Sequence, residues 1–320
     1  MSYPSRLFLL SLFACLNVTL LNNSNAKERK VMTDDKDSTI AGVSRDNVPS
    51  DSLENQSADN YLPGWYDMIS RIPGDWVEYS EETFQTKNIP WFVGMAGATT
   101  ALVVVDRQWW WTEKKWYDQS STFHRFSDWM VFTGDGRFQF GIVGAFAAYG
   151  FVFDDTRALR TASETTEAIL ACGGIVQLLK HVTGRESPFC STKRTGKWDL
   201  FPNQIQYAKH TPNYDAFPSG HLATATTTLI VIADNYPEIT WLKPAGYVAL
   251  GAISSSLVAY GIHWWSDFPL ALALGYSFGE IAAHPIGVTF GDKRSDESTN
   301  LSFSPTAFSR GAGVKMSLSF

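Results

Sequence analysis

Three short segments hold the residues that could do chemistry: Lys180-His-Val-Thr-Gly-Arg185-Glu-Ser-Pro188, Pro218-Ser-Gly-His221 and His263-Trp-Trp-Ser-Asp267. Together they offer two cations, a Ser-Gly turn, two imidazoles and a carboxylate. That set suits phosphoryl transfer, which needs charge neutralisation, a nucleophile and a proton donor and little else.

Each segment has a specific chemical reading beside a bland one. Ser219 is a natural N-cap for the apolar run that follows it. Backbone amides at Ser219, Gly220 and His221 would then face an anion at the positive end of a helix. Gly220 lets that anion approach closely, and His221 at the rim could protonate a leaving oxygen. The bland reading is an ordinary helix cap with an incidental histidine. His263 and Asp267 are four residues apart, so the carboxylate can accept from one ring nitrogen and raise the basicity of the other. That prepares a nucleophile toward phosphorus, although a buried histidine satisfied by an acid looks the same in sequence. No third ligand lies at metal-binding spacing around this pair, and the chemistry requires neither metal nor cofactor. Lys180 and Arg185 could bind phosphate oxygens, the arginine as a planar fork; alternatively both are solvated charges at a helix end.

Apolar segments of helical length must position these groups: Trp91–Val105, Phe140–Phe153, Thr166–Leu179, Leu222–Ala233, Pro244–Ile262 and Phe268–Ala283. Gly134-Asp-Gly136, Asp154-Asp155 and Asn235-Tyr-Pro237 separate them with turn chemistry. The pattern predicts a mainly α protein, a multi-helix bundle with about six core helices. Most segments fall short of the roughly 20 apolar residues that span a bilayer, and Pro244–Ile262 is the one that keeps a membrane-embedded version open. Trp109-Trp110-Trp111 and Trp116, beside Lys114 and Lys115, either meet a lipid surface or cap the bundle. Val314, Met316, Leu318 and Phe320 alternate with polar residues, the period of a strand; a short β hairpin at the C-terminus is expected, with Leu301 and Phe303 in its other arm.

The ends and the composition frame this core. Residues 1–26 read as a signal peptide, with basic Arg6, an apolar Leu7–Leu21 and small residues before the cleavage site. Export to a periplasmic or envelope location follows. Residues 27–60 form a polar linker of disordered composition, 61–285 the helical domain and 286–320 a strand-like extension. In the 320-residue chain, 12 Trp and 21 Phe supply a large core, and a net charge of −6 without long basic runs gives no reason to expect nucleic acid. Cys172 and Cys190, left after leader removal, fit a disulfide or two small buried hydrophobes equally well.

The order and spacing of the three segments resemble the type 2 phosphatidic acid phosphatase and vanadium haloperoxidase superfamily, over roughly Phe140 to Ala283. The resemblance implies a helical bundle with the site between helices. It implies that Lys180, Arg185, Ser219 and Gly220 bind phosphate, that His221 is the general acid, that His263 is the nucleophile and that Asp267 orients it. Two positions depart from the family pattern, which carries arginine where this chain has Ser187 and Leu257. Each lost charge-assisted contact removes on the order of 2–4 kcal/mol of transition-state stabilisation unless replaced. Arg185 is the expected stand-in near Ser187. Lys193, Arg194, Lys197, Lys209 and His210, in the long Arg185–Pro218 connection, are the candidates near Leu257. The expectation is therefore an exported, metal-independent phosphatase of a phosphomonoester or diphosphate, of a lipid or small molecule, with contact to a membrane surface. A vanadate-dependent haloperoxidase and a non-catalytic envelope protein on the same scaffold are the rivals. The sequence does not set the oligomeric state.

Overall fold

The computed structural model describes residues 63–64 and 66–285, and the backbone of 300–308 and 311–319. The leader, the polar linker and residues 286–299 lie outside the described residues.

Mainly helical structure is what forms. Ten α-helices run along the described residues: α1 (Asp67–Ser70), α2 (Ile72–Thr83), α3 (Ile89–Gln119), α4 (Ser121–Gly134), α5 (Gly136–Phe153), α6 (Thr156–Thr183), α7 (Gln204–Lys209), α8 (Gly220–Asn235), α9 (Leu242–Tyr260) and α10 (Phe268–Ala283). The turn chemistry sets the breaks. Asp135 and Asp155 accept hydrogen bonds from the first-turn amides of α5 and α6. Asp154 and Gly184 adopt left-handed backbone that ends α5 and α6. At Gly184 a Cβ would sit 2.2 Å from the Asp199 carbonyl oxygen, so only glycine fits the turn that launches Arg185.

α8 lies at the centre, packed on α10, α6 and α9. Gly275 and Gly279 on α10 allow close contact with α8, since Cβ atoms there would fall 2.5 Å from the Ala223 carbonyl oxygen and 2.8 Å from Ile230. The main core gathers Cys172, Val176, Leu222, Leu257, Trp264, Leu274 and Phe278.

Several expectations need correcting. α3 does not stop at Val105 but continues to Gln119, because no breaker intervenes. Its polar residues at 106 and 113 find buried partners on the loop at 263–267. The tryptophans therefore form part of a helix flank rather than a separate cap: Trp110 is buried edge-on against Trp264, whereas Trp111 and Trp116 are exposed. α2 and α4 were not expected as helices, because polar residues interrupt their apolar runs. α9 is half core, with Ile253, Leu257 and Val258 buried. Among the described residues the helical run long and apolar enough to cross a membrane is Thr86–Gln119, not Pro244–Ile262. Its apolar window is bare, with Val93 and Val104 both exposed. At the C-terminus the backbone of Asn300–Phe308 pairs antiparallel with Gly311–Ser319. Cys172 and Cys190 are both free thiols, the first buried inside α6 and the second donating to carbonyls of Ser187 and Pro212.

Candidate active site

The three sequence segments meet where α6 ends and α8 and α10 begin. Lys180, in the last turn of α6 and 5 % exposed, lies against the α8 turn: a Cβ on Gly220 would be 3.7 Å from its Nζ. Its ammonium pairs with Asp215 at 3.2 Å. Ser219 caps α8 by accepting from the Leu222 amide at 3.3 Å. The expectation of three amides facing an anion holds less than fully, because the Ser219 amide donates to the Asp267 carbonyl at 3.1 Å. Gly220 and His221 occupy the first turn of α8, where amides have no acceptor within the helix.

His221 and His263 face each other edge to face, with ring centroids 5.6 Å apart. His263 is 1 % exposed, and His221 is half-buried at the rim. His263 Nδ1 lies 2.7 Å from the Ala216 carbonyl oxygen. A carbonyl can only accept, so Nδ1 carries the proton and Nε2 keeps its lone pair. This changes the part expected of Asp267. Its nearer oxygen is 3.5 Å from Nδ1, a supporting charge rather than the primary acceptor. Asp267 instead accepts the Trp264 amide at 2.7 Å and the Arg185 guanidinium, which fixes the loop that carries His263.

Arg185 is the main correction. It is fully buried, and its Nη donors reach Asp267, Ser266 at 2.7 Å, Asp106 at 2.8 Å and the Thr195 carbonyl at 2.9 Å. Trp198 covers the guanidinium at 4.7 Å. The arginine expected to bind phosphate is an internal clamp, and its Nε alone lacks a hydrogen-bond partner. Asp106, from α3, also accepts the Ser266 amide at 3.1 Å, and Glu113 two turns on accepts the Trp265 indole at 2.9 Å. One stripe of α3, at 106, 110 and 113, thus holds the 263–267 loop.

Arg185 is engaged in the clamp, and among the described residues none of the cations expected near Leu257 is buried beside it. Ser187 is buried, and its amide donates to the Pro212 carbonyl. Leu257 is fully buried in the core. Lys193, Arg194, Lys197, Lys209 and His210 are exposed, and Lys197 pairs with Asp199 at 3.2 Å. The connection that carries them is pinned rather than loose: the Glu186 carboxylate accepts from the Thr192 and Lys197 amides.

Electrostatics bear on His221. Burial, reinforced by the nearby His263 ring and the Lys180 ammonium, pushes the His221 pKa down to about 4. His221 is therefore neutral near pH 7 while the site is empty of anion. Asp135, at the α4–α5 turn, and Asp215 oppose this shift, and neither was singled out from sequence. Asp106, Ala216 and Asp215 were missed because each sits outside the motifs; only the fold brings them in.

The PAP2 superfamily model matches residues 164–286, from within α6 to just past α10. Over these residues the chain is similar to the PAP2 superfamily. The matched segment contains all three motifs, whereas Asp106 and Glu113 come from α3 outside it. Among solved structures the chain is similar to a transmembrane PAP2-type phosphatidylglycerolphosphate phosphatase from Bacillus subtilis. The likeness is at 14 % identity and a TM-score of 0.36, over 68 % of this chain and 94 % of that one. No curated protein matches the chain.

Proposed function

We propose that the protein is an exported phosphatase that hydrolyses a phosphomonoester or diphosphate, of a lipid in particular, through a phosphohistidine. The observation that carries this is the facing pair His263 and His221, with Lys180 beside Gly220 at the start of α8. In the first step His263 Nε2 attacks phosphorus, the ester P–O bond breaks and His221, as imidazolium, gives its proton to the leaving oxygen. In the second step neutral His221 takes a proton from water, the water oxygen bonds to phosphorus and the P–N bond breaks. Inorganic phosphate leaves and His263 is restored.

His221 must gain a proton before the first step, against burial and the neighbouring Lys180 ammonium. A bound phosphate supplies the opposing charge, or arrives as a monoanion bringing the proton itself; its second pKa is about 6. Lys180 and the first-turn amides neutralise the oxyanion. Asp267 and Arg185 act by holding the His263 loop. Neither a metal nor a cofactor takes part in this scheme.

Membrane association is supported by the bare apolar stretch of the Thr86–Gln119 helical run. Export is supported by the leader composition of residues 1–26. The scheme assigns catalysis to 61–285 and treats the C-terminal strand pair as an accessory hairpin. A haloperoxidase reading lacks support, since tight vanadate binding wants more cations than Lys180 supplies.

The test measures phosphate release from phosphatidic acid in detergent micelles and from p-nitrophenyl phosphate, with acid-quench trapping of the intermediate. Wild-type protein should turn over and His263→Ala should not. Equal turnover by His263→Ala refutes the assignment, and a rate that depends on added vanadate and halide favours the rival.

A further inference from the structure

The far ends of α8 and α10 carry a second cluster with ligand chemistry. Asp234 near the end of α8, Glu280 in the last turn of α10 and His284 just after it each offer one atom, and these lie within 4.8 Å of one another. α8 and α10 begin together at the phosphate cradle and run side by side, so their C-termini also arrive together. Sixteen residues of α-helix separate the two ends by roughly 24 Å. The close approach at Gly279 is what sets the separation of the two carboxylates, since it brings the α10 backbone onto Ile230 and the Thr227 carbonyl one turn before Asp234.

Two features point to a cation. Two helix C-termini place the negative ends of their dipoles at one spot. In addition, the Asp234 side chain is 8 % exposed, yet its Oδ2 has no hydrogen-bond partner among the described residues. Its other oxygen, Oδ1, is neutralised by Lys243 at 2.5 Å. A buried carboxylate oxygen beside a second carboxylate is costly unless a cation or a shared proton joins them, and Glu280 lies within hydrogen-bonding reach of Asp234. His284 is held in place by its Nδ1 contact with the Glu280 carbonyl at 3.0 Å.

We infer that Asp234, Glu280 and His284 form a binding site for one divalent transition metal ion of the Zn2+ class, a clip joining the ends of α8 and α10. Two carboxylate oxygens and one imidazole nitrogen match the mixed oxygen and nitrogen preference of Zn2+ rather than the all-oxygen shells of Mg2+ and Ca2+. Ligand atoms around tetrahedral Zn2+ at about 2.0–2.1 Å lie about 3.3 Å apart. The observed cluster is wider by roughly 1.5 Å at most, a distance that small side-chain rotations close. Water would complete the shell. The site is remote from His263, so its role is structural, and it stands whether or not the phosphatase reading does.

The experiment uses the full purified chain, stripped with chelator and dialysed, and titrates it with Zn2+, Mn2+ and Mg2+ in separate calorimetric runs. Thermal unfolding is followed in parallel. One equivalent of Zn2+ should bind saturably and raise the melting temperature, with Mg2+ at least tenfold weaker. Asp234→Asn and Glu280→Gln should each weaken Zn2+ at least tenfold. His284→Gln, on a partly exposed residue after the helix, provides the variant least able to disturb folding. Lys243→Met discriminates further: with its competitor for Asp234 gone, Zn2+ should bind more tightly. No saturable binding overturns the proposal, as does binding that is unchanged in all three ligand variants.

Discussion

Replacing Asp106 by Asn tests whether α3 holds the nucleophile loop. The carboxylate accepts from Arg185 Nη2 at 2.8 Å and from the Ser266 amide at 3.1 Å, with the Ser266 hydroxyl as a third donor. Both Asp106 and Arg185 are fully buried. An amide of the same shape loses the charge and can turn its own N–H toward the guanidinium donors. Removing one partner of a buried ion pair costs about 3–5 kcal/mol, a large share of a typical stability of about 5–15 kcal/mol. The second readout is activity: a loop displaced by about 1 Å can lower turnover roughly a hundredfold. Chemical denaturation and phosphate release measured on the same samples give both quantities. Joint replacement, Asp106→Leu with Arg185→Met, still leaves Asp267 without its guanidinium and so should recover only part of the loss. A single-variant loss below about 1 kcal/mol with full activity would refute the clamp.

Three further outcomes follow from the same geometry. Lys180→Met should lower phosphate release by roughly 30-fold to 1000-fold, the equivalent of about 2–4 kcal/mol of oxyanion stabilisation, whereas Asp215→Asn, which releases Lys180 from its 3.2 Å partner, should not weaken inorganic phosphate binding. His221 is held neutral in the fold, with its pKa lowered from 6.5 to about 4, so the unfolded chain alone takes up that proton as pH drops from 6.5 to 4. Stability contributed by this group is present above pH 6.5 and falls on acidification, by on the order of 3 kcal/mol; His221→Gln should flatten that part of a denaturation-versus-pH curve. Gly184→Ala forces a Cβ into the Asp199 carbonyl at φ +53 and should cost about 2–4 kcal/mol, so a melting temperature within two degrees or so of wild type would show that the turn relaxes.

The placement of the candidate groups was legible in the sequence because motif spacing fixes it locally: Lys180 on a helix end, Ser219 on a helix start, His263 just before another. The helical class was legible too, since long apolar runs bounded by Gly134-Asp-Gly136 and Asp154-Asp155 leave few alternatives. What was not legible depends on distance along the chain. Arg185 looked like a phosphate ligand because its carboxylate partner Asp106 lies 79 residues away on a helix that seemed to end at Val105. The carbonyl of Ala216 took the position expected of Asp267, and no side-chain pattern announces a backbone acceptor. α4 was invisible for a different reason. Ser127 and Asp128 interrupt its apolar run, yet Ser127 is buried by the fold around it.

The length of α3 has a mechanical consequence. One unbroken rod carries bare valines at 93 and 104 and, from Asp106 onward, the grip on the His263 loop. Between Val93 and Asp106 it spans about 20 Å. A pivot near the outer end by only about 3° would shift the inner contact by about 1 Å, comparable to the tolerance of catalytic geometry. Whatever surrounds the outer half of this helix can therefore be felt at the His263 loop, and under the proposed scheme turnover should respond to the thickness and order of those surroundings.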